Sequence, residues 1–160
     1  MPKYHLRRSE KAVKEQAELV DIIKKCKWMT MALCSGNRPY AVAINYGYDA
    51  EKHCLYMHCA NDGYKLDVIR HNNACCASIV DDHGYIDGDC DHAYRSLHAY
   101  GTVTQVLDKA EIRHALKVMI EHLEPDPKPV MDRFFKTGNE DHVVGILRLD
   151  IRHLTGKVSL

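Results

Sequence analysis

The chain lacks an excess of charge of either sign. Its 22 Lys and Arg balance 22 Asp and Glu, so the basic face that non-specific nucleic-acid binding requires is not expected. It lacks long apolar runs: no stretch approaches the ~20 residues needed to cross a bilayer. Met1 to Lys14 is polar and basic, without the apolar centre of a signal peptide. A cytoplasmic location follows as the expectation, with neither membrane nor nucleic acid as a partner. Several chemical signatures are missing too. There is no Gly-x-Ser-x-Gly elbow, no Walker loop and no Gly-x-Gly-x-x-Gly turn. Neither a C-x-x-C nor an H-E-x-x-H zinc pattern occurs, and no EF-hand loop, so no metal site is expected. No βαβ rhythm, repeat or shift of composition marks a second domain.

What is present is ordinary globular material. Hydrophobic residues make up 46% and charged residues 28% of 160, enough for one domain, residues 1–160, with a core that needs no disulfides. The seven cysteines are odd in number, and Cys75 and Cys76 are adjacent. Reduced thiols are therefore expected.

Helical spacing over residues 10–27 predicts a first helix, with Ser9 as its cap and Val13, Ala17, Val20 and Ile23 on one face. Strands are expected over 28–34, 39–48 and 53–59, then over 74–80 and 94–106, with a last one from Val143 to Ile151. Gly101 is a candidate bulge. A short helix is expected over 62–72, with Leu66, Val68 and Ile69 on its apolar side. A longer one runs from a cap at Asp108 to Leu123, with Ile112, Leu116, Met119, Ile120 and Leu123 inward. Pro125, Pro127 and Pro129 end it. Asp81 to Asp91 reads as a long acidic loop. The order predicts a mainly β (α+β) fold, a small six-stranded antiparallel barrel with a few peripheral helices.

One stretch carries the clearest chemistry: Met57-His58-Cys59-Ala60-Asn61-Asp62-Gly63-Tyr64-Lys65-Leu66. It reads as a strand end, a polar turn and a helix start. Free N–H groups and the dipole of a helix N-terminus favour an anion, and Lys65 adds a full charge. An ordinary turn capped by Asp62 would look the same. Asn45 sits in the apolar strand Arg38 to Tyr48, either as a satisfied core amide or against a planar ligand. Arg95 and Ser96, after Tyr94, open a strand beside the acidic loop, suited to an anion or to a salt bridge with that loop. The loop itself reads as solvated rather than metal-binding.

Taken in order, Arg38-Pro39-Tyr40 with Asn45-Tyr46-Gly47-Tyr48, Leu55 to His58 with Gly63 to Leu66, Tyr94-Arg95-Ser96 with Tyr100-Gly101, and Arg148 to Ile151 with Thr155-Gly156-Lys157 form a series. It resembles the flavin-binding split-barrel family related to pyridoxamine 5′-phosphate oxidase, and within it the nitroimidazole-resistance branch. The resemblance spans about Trp28 to Lys157. It implies a six-stranded split barrel that forms a homodimer with flavin at the interface. FMN is the expected cofactor, with FAD as the alternative.

By that resemblance, His58 stands where the resistance proteins have a histidine near the flavin ring, and is the catalytic candidate. Cys59, Ala60, Gly63, Tyr64 and Lys65 match the phosphate-binding stretch. Val42, Ala43, Ile44 and Asn45 match the strand that lines the isoalloxazine, and Arg95 and Ser96 match a segment close to the cofactor. The chain departs from the vitamin B6 oxidases in its sparser basic contacts and its C-terminal end, so pyridoxamine phosphate is not the expected substrate. The implied activity is transfer of electrons from a reduced nicotinamide to a small acceptor such as a nitro-aromatic compound. A non-catalytic flavin sensor and a haem-binding split barrel are the alternatives.

Overall fold

The computed structural model describes residues 6–136 and 145–160. Among these residues eight strands, two more than the six expected because a short first strand is added and the second expected strand splits, form one antiparallel sheet: β1 (Ala12–Val13), β2 (Trp28–Ser35), β3 (Arg38–Asn45), β4 (Gly47–Asp49), β5 (Cys54–Cys59), β6 (Ala74–Ile86), β7 (Asp91–Val106) and β8 (Gly145–Ser159). The order is β3-β2-β6-β7-β8-β5-β4, with β1 paired to the far half of β8. The sheet curls until β3 runs alongside β5 without pairing to it, which leaves a split barrel. Four helices are described: α1 (Gln16–Lys25), α2 (Tyr64–His71), α3 (Lys109–Leu123) and α4 (Pro127–Phe134).

Period-two alternation builds the core. Met29, Met31 and Leu33 of β2 point inward with Ala77 and Ile79 of β6 and Leu97 and Ala99 of β7. Leu19, Ile22 and Ile23 of α1 and Leu66, Val68 and Ile69 of α2 pack against them. β5 serves two cores at once. Leu55 and Met57 face the barrel, while Cys54 and Tyr56 face a second cluster under Ile112, Ala115, Leu116 and Met119 of α3.

Two glycines set close approaches. A Cβ on Gly47 would lie 2.6 Å from the Cα of Met119, and one on Gly101 would lie 1.9 Å from the Asp150 carbonyl oxygen. Gly101 marks the register shift between β7 and β8, as its bulge reading expects. Gly47 lets α3 press onto β4.

Several expectations need correction. The first helix starts at Gln16, and Ser9 opens a short 3-10 turn instead of capping it. Its buried face is Leu19, Ile22 and Ile23; Ala17 is exposed. The expected strand 39–48 breaks at the buried Tyr46 into β3 and β4. Its hydroxyl donates to the Ile23 carbonyl at 2.8 Å, which fixes the break to α1. The acidic loop is a hairpin: β6 extends to Ile86, Asp87–Cys90 turns, and β7 begins at Asp91. A bulge between Asp82 and Tyr85, with Gly84 at φ +97°, absorbs its irregular pattern. The prolines do end α3, yet Pro127 also starts α4 from its first-turn position. The last strand runs on to Ser159; its expected start at Val143 lies outside the described residues. Asp108 caps α3 as read, its carboxylate accepting from the Glu111 N–H at 2.8 Å.

Candidate cofactor site

The β5–α2 turn sits at the edge of the split. Cys59 ends β5 opposite Gly145, where a Cβ would stand 2.9 Å from the Ala60 carbonyl oxygen. The turn is thereby pressed against the start of β8. Gly63 occupies the N-cap position at φ +116°, a conformation that disfavours any side chain. No side chain caps α2, so the alternative reading of the turn, a cap at Asp62, does not form. The Leu66 and Asp67 N–H groups bond back to the Gly63 carbonyl. Those of Tyr64 and Lys65 have no partner among the described residues. Two orphan donors and the positive end of the helix dipole thus face outward together.

Lys65 is half-buried and makes no ion pair among the described residues. Its charge reaches Cys59, where burial pushes the thiol up and Lys65 pulls it partly back. The Tyr64 ring meets Tyr40 of β3 edge-on, centroids 5.2 Å apart. That contact ties the head of α2 to the strand across the split.

β3 is an edge strand, paired only to β2. Alternate residues therefore offer free backbone N–H and C=O groups to the open side. Val42 and Ile44, with Tyr40, lean against the barrel core. Ala41, Ala43 and Asn45 face out, beside Trp28, Thr30 and Ala32 of β2. Asn45 is exposed, not buried, and its amide donates to the Lys27 carbonyl at 3.1 Å. The two alanines leave a flat surface at the split.

His58 lies on the opposite side of β5 from Met57 and Cys59, in register with Cys54 and Tyr56. It is exposed and lines a cleft of about 440 Å³ under α3 and α4. Leu116, Met119, Ile120 and Leu123 of α3 form one wall, and Val130 and Phe134 of α4 another. At Leu123 the cleft wall is tied to the end of β3. The Leu123 carbonyl accepts from the Lys27 ammonium at 2.7 Å, and Lys27 in turn holds Asn45. His122 locks the same corner through the Cys26 carbonyl at 2.8 Å. Burial first, then the Lys27 charge, lowers its pKa against that hydrogen bond. None of the α4 residues stood out in the sequence, because a proline-rich segment does not advertise a helix.

Arg95 and Ser96 separate. They are neighbours on β7 and so point to opposite faces. The Arg95 guanidinium donates twice to Asp81, at 2.7 and 2.9 Å, and once to Asp21 of α1, at 2.9 Å. Lys25 and His83 also reach Asp81. Burial alone would raise the Asp81 carboxyl; the hydrogen bonds from Arg95, Lys25 and His83 outweigh it and hold it down at about 2. Of the two roles open to Arg95, the salt bridge to the former loop is the one formed. Ser96 is half-buried on the other face, opposite Val80.

The donor set fits a flavin. Two N–H groups and a lysine without partners among the described residues suit a phosphate, and a flat alanine surface on an edge strand suits a planar ring. Among the described residues no group of three or more potential ligands could hold a metal ion, and no helix is long and apolar enough to cross a membrane. All seven cysteines are free.

No curated protein sequence matches the chain. Solved structures do. A putative 5-nitroimidazole antibiotic resistance protein from Bacteroides thetaiotaomicron is 24% identical, with a TM-score of 0.76 over 92% of this chain and 86% of that one. A flavocytochrome from Azotobacter vinelandii is 16% identical, with a TM-score of 0.83 over 100% and 75%. An FAD and heme binding protein from Mycobacterium smegmatis is 20% identical, with a TM-score of 0.77 over 93% and 73%. At these identities the likeness is one of fold. The family model described as pyridoxamine 5′-phosphate oxidase matches residues 15–158, and with nine-tenths of its length so covered the chain belongs to that family.

Proposed function

We propose that the protein is a flavin-dependent oxidoreductase that passes electrons from a reduced nicotinamide to a small acceptor, a nitro-aromatic compound being the model substrate. The observation that carries this reading is the β5–α2 turn, where two N–H groups and Lys65, all without partners among the described residues, lie across the split from β3. Lys65, Tyr64 and Gly63, with Cys59 and Ala60, hold the phosphate. Val42, Ala43, Ile44 and Asn45 support the ring through their backbone and flat outer surface. FMN suffices, since one phosphate satisfies the turn; FAD is the alternative, as in the structurally similar FAD and heme binding protein from Mycobacterium smegmatis.

When bound, the flavin supplies the electron chemistry. His58 orients the acceptor and holds a proton for it. Ser96 lies toward the cofactor side of β7, while Arg95 fixes the strand that carries it.

The protein acts as a homodimer. Among the described residues no helix covers the outer sheet face around Ala32, Ala41, Ala43 and Ser78, and Trp28 and Val80 stand 63% and 54% exposed beside it. A second copy packed there would cover the flavin's other side.

The first test is the visible spectrum of the purified protein, with release and identification of the chromophore. An oxidised-flavin spectrum is expected; a colourless protein that takes up neither FMN nor FAD would sink the reading. His58→Ala is expected to keep its flavin and to lose about 100-fold in acceptor reduction. Unchanged turnover would remove His58 from the chemistry. A flavin-loaded monomer in light scattering would remove the dimer.

A further inference from the structure

The cleft beneath α3 and α4 has a chemical character of its own. Its volume of about 440 Å³ falls in the range of small-ligand pockets. Leu116, Ile120, Leu123 and Phe134 give it apolar walls. Among the described residues three polar side chains line it: His58 on β5, Glu124 just past α3, and Arg133 in the last turn of α4. Arg133 is exposed and makes no ion pair among the described residues. A guanidinium offers a planar fork of donors that matches a carboxylate. Glu124, also exposed and without an ion pair among the described residues, lines the same cleft. A ligand with one acidic group can set its apolar body against α3 and that group on Arg133.

We infer that this cleft is the acceptor site, and that it selects a flat, largely apolar molecule bearing a carboxylate, with Arg133 as the partner of that group. The inference rests on the proposed oxidoreductase reading and adds the substrate class. Neither the turn at Gly63 nor Lys65 takes part in it.

The test is calorimetric titration of the flavin-loaded protein with 2-naphthoate and with its uncharged amide, 2-naphthamide. Naphthoate is expected to bind saturably. Arg133→Gln is expected to weaken naphthoate about tenfold, the loss of one charge-assisted contact, and to leave the amide unchanged. Ile120→Trp, which fills the cleft, is expected to abolish both, with flavin content and melting temperature read alongside as controls of folding. Equal naphthoate affinity in wild type and Arg133→Gln overturns the proposal, as does no binding to the wild type. A haem Soret shift on adding hemin, lost in His58→Ala, gives the cleft to a different planar molecule and also overturns it. Flavin absorbance is measured independently of naphthoate. A protein without flavin therefore counts against the oxidoreductase reading, whereas flavin in place with no preference for the acid counts against the cleft assignment alone.

Discussion

Lys65 and Arg95 are both cations beside a sheet, and both invite an anion when read from sequence. The structure separates them. Arg95 is 15% exposed and already held by two carboxylates, Asp81 and Asp21. Lys65 is half-buried at an uncapped helix start, with no acidic partner among the described residues. A neutralised cation has little left to offer a phosphate, and its work is to hold elements together. One with no acidic partner among the described residues, beside free N–H groups, has its field still available. What distinguishes a structural cation from a binding one is therefore the surrounding charge, not the residue type.

The comparison can be broken from either side. Arg95→Met is expected to have the largest effect on folding, a loss of about 3 kcal/mol, because it strips the main partners from a buried carboxylate. Chemical denaturation measures it, and flavin affinity should stay unchanged under conditions where the variant is folded. A drop in flavin affinity at full folding would place Arg95 with the binding cations after all. Lys65→Ala is expected to do the reverse. Flavin affinity should fall by about 1–3 kcal/mol, with the melting temperature of the flavin-free protein unmoved. The smallest effect is on acid stability. The folded Asp81 carboxyl sits at about 2, below its unfolded value of about 3.9. It thus contributes stability that is fully present above about pH 4 and is lost as the pH falls toward 2. That acid slope should flatten in Arg95→Met and persist in Lys65→Ala. Equal slopes in both variants would erase the distinction.

The sequence made the strands and the chemistry of 57–66 legible because both are local. Short runs of apolar and small residues mark β2, β5 and β6, and Asp108 announces α3 by its own side chain. The hairpin at 81–91 was hidden for a physical reason. Its acidic residues read as solvated until their partners are known, and those come from Lys25 on α1, Arg95 and His92 on β7. The break at Tyr46 was hidden likewise, since it depends on a carbonyl 23 residues earlier in the chain. In the candidate site, the turn and β3 were found, but the cleft beside His58 was not. Its second wall is α4, where Pro127 and Pro129 sit at the one place a helix accepts them.

The pairing of β1 with β8 has a consequence for how the chain folds. Ala12 and Val13 bond to Lys157 and Gly156, and Lys11 reaches Ser159 at 2.6 Å. Gly156 leaves room for this, since a Cβ there would strike Leu19 and Val13. Nearly the whole chain lies between the partners, so their loop-closure entropy is met only after the intervening hairpins have formed. The β1–β8 ladder is the closing zip of the folding reaction. Contacts made that late slow unfolding more than they speed folding, which makes this small two-residue strand a latch on the lifetime of the native state.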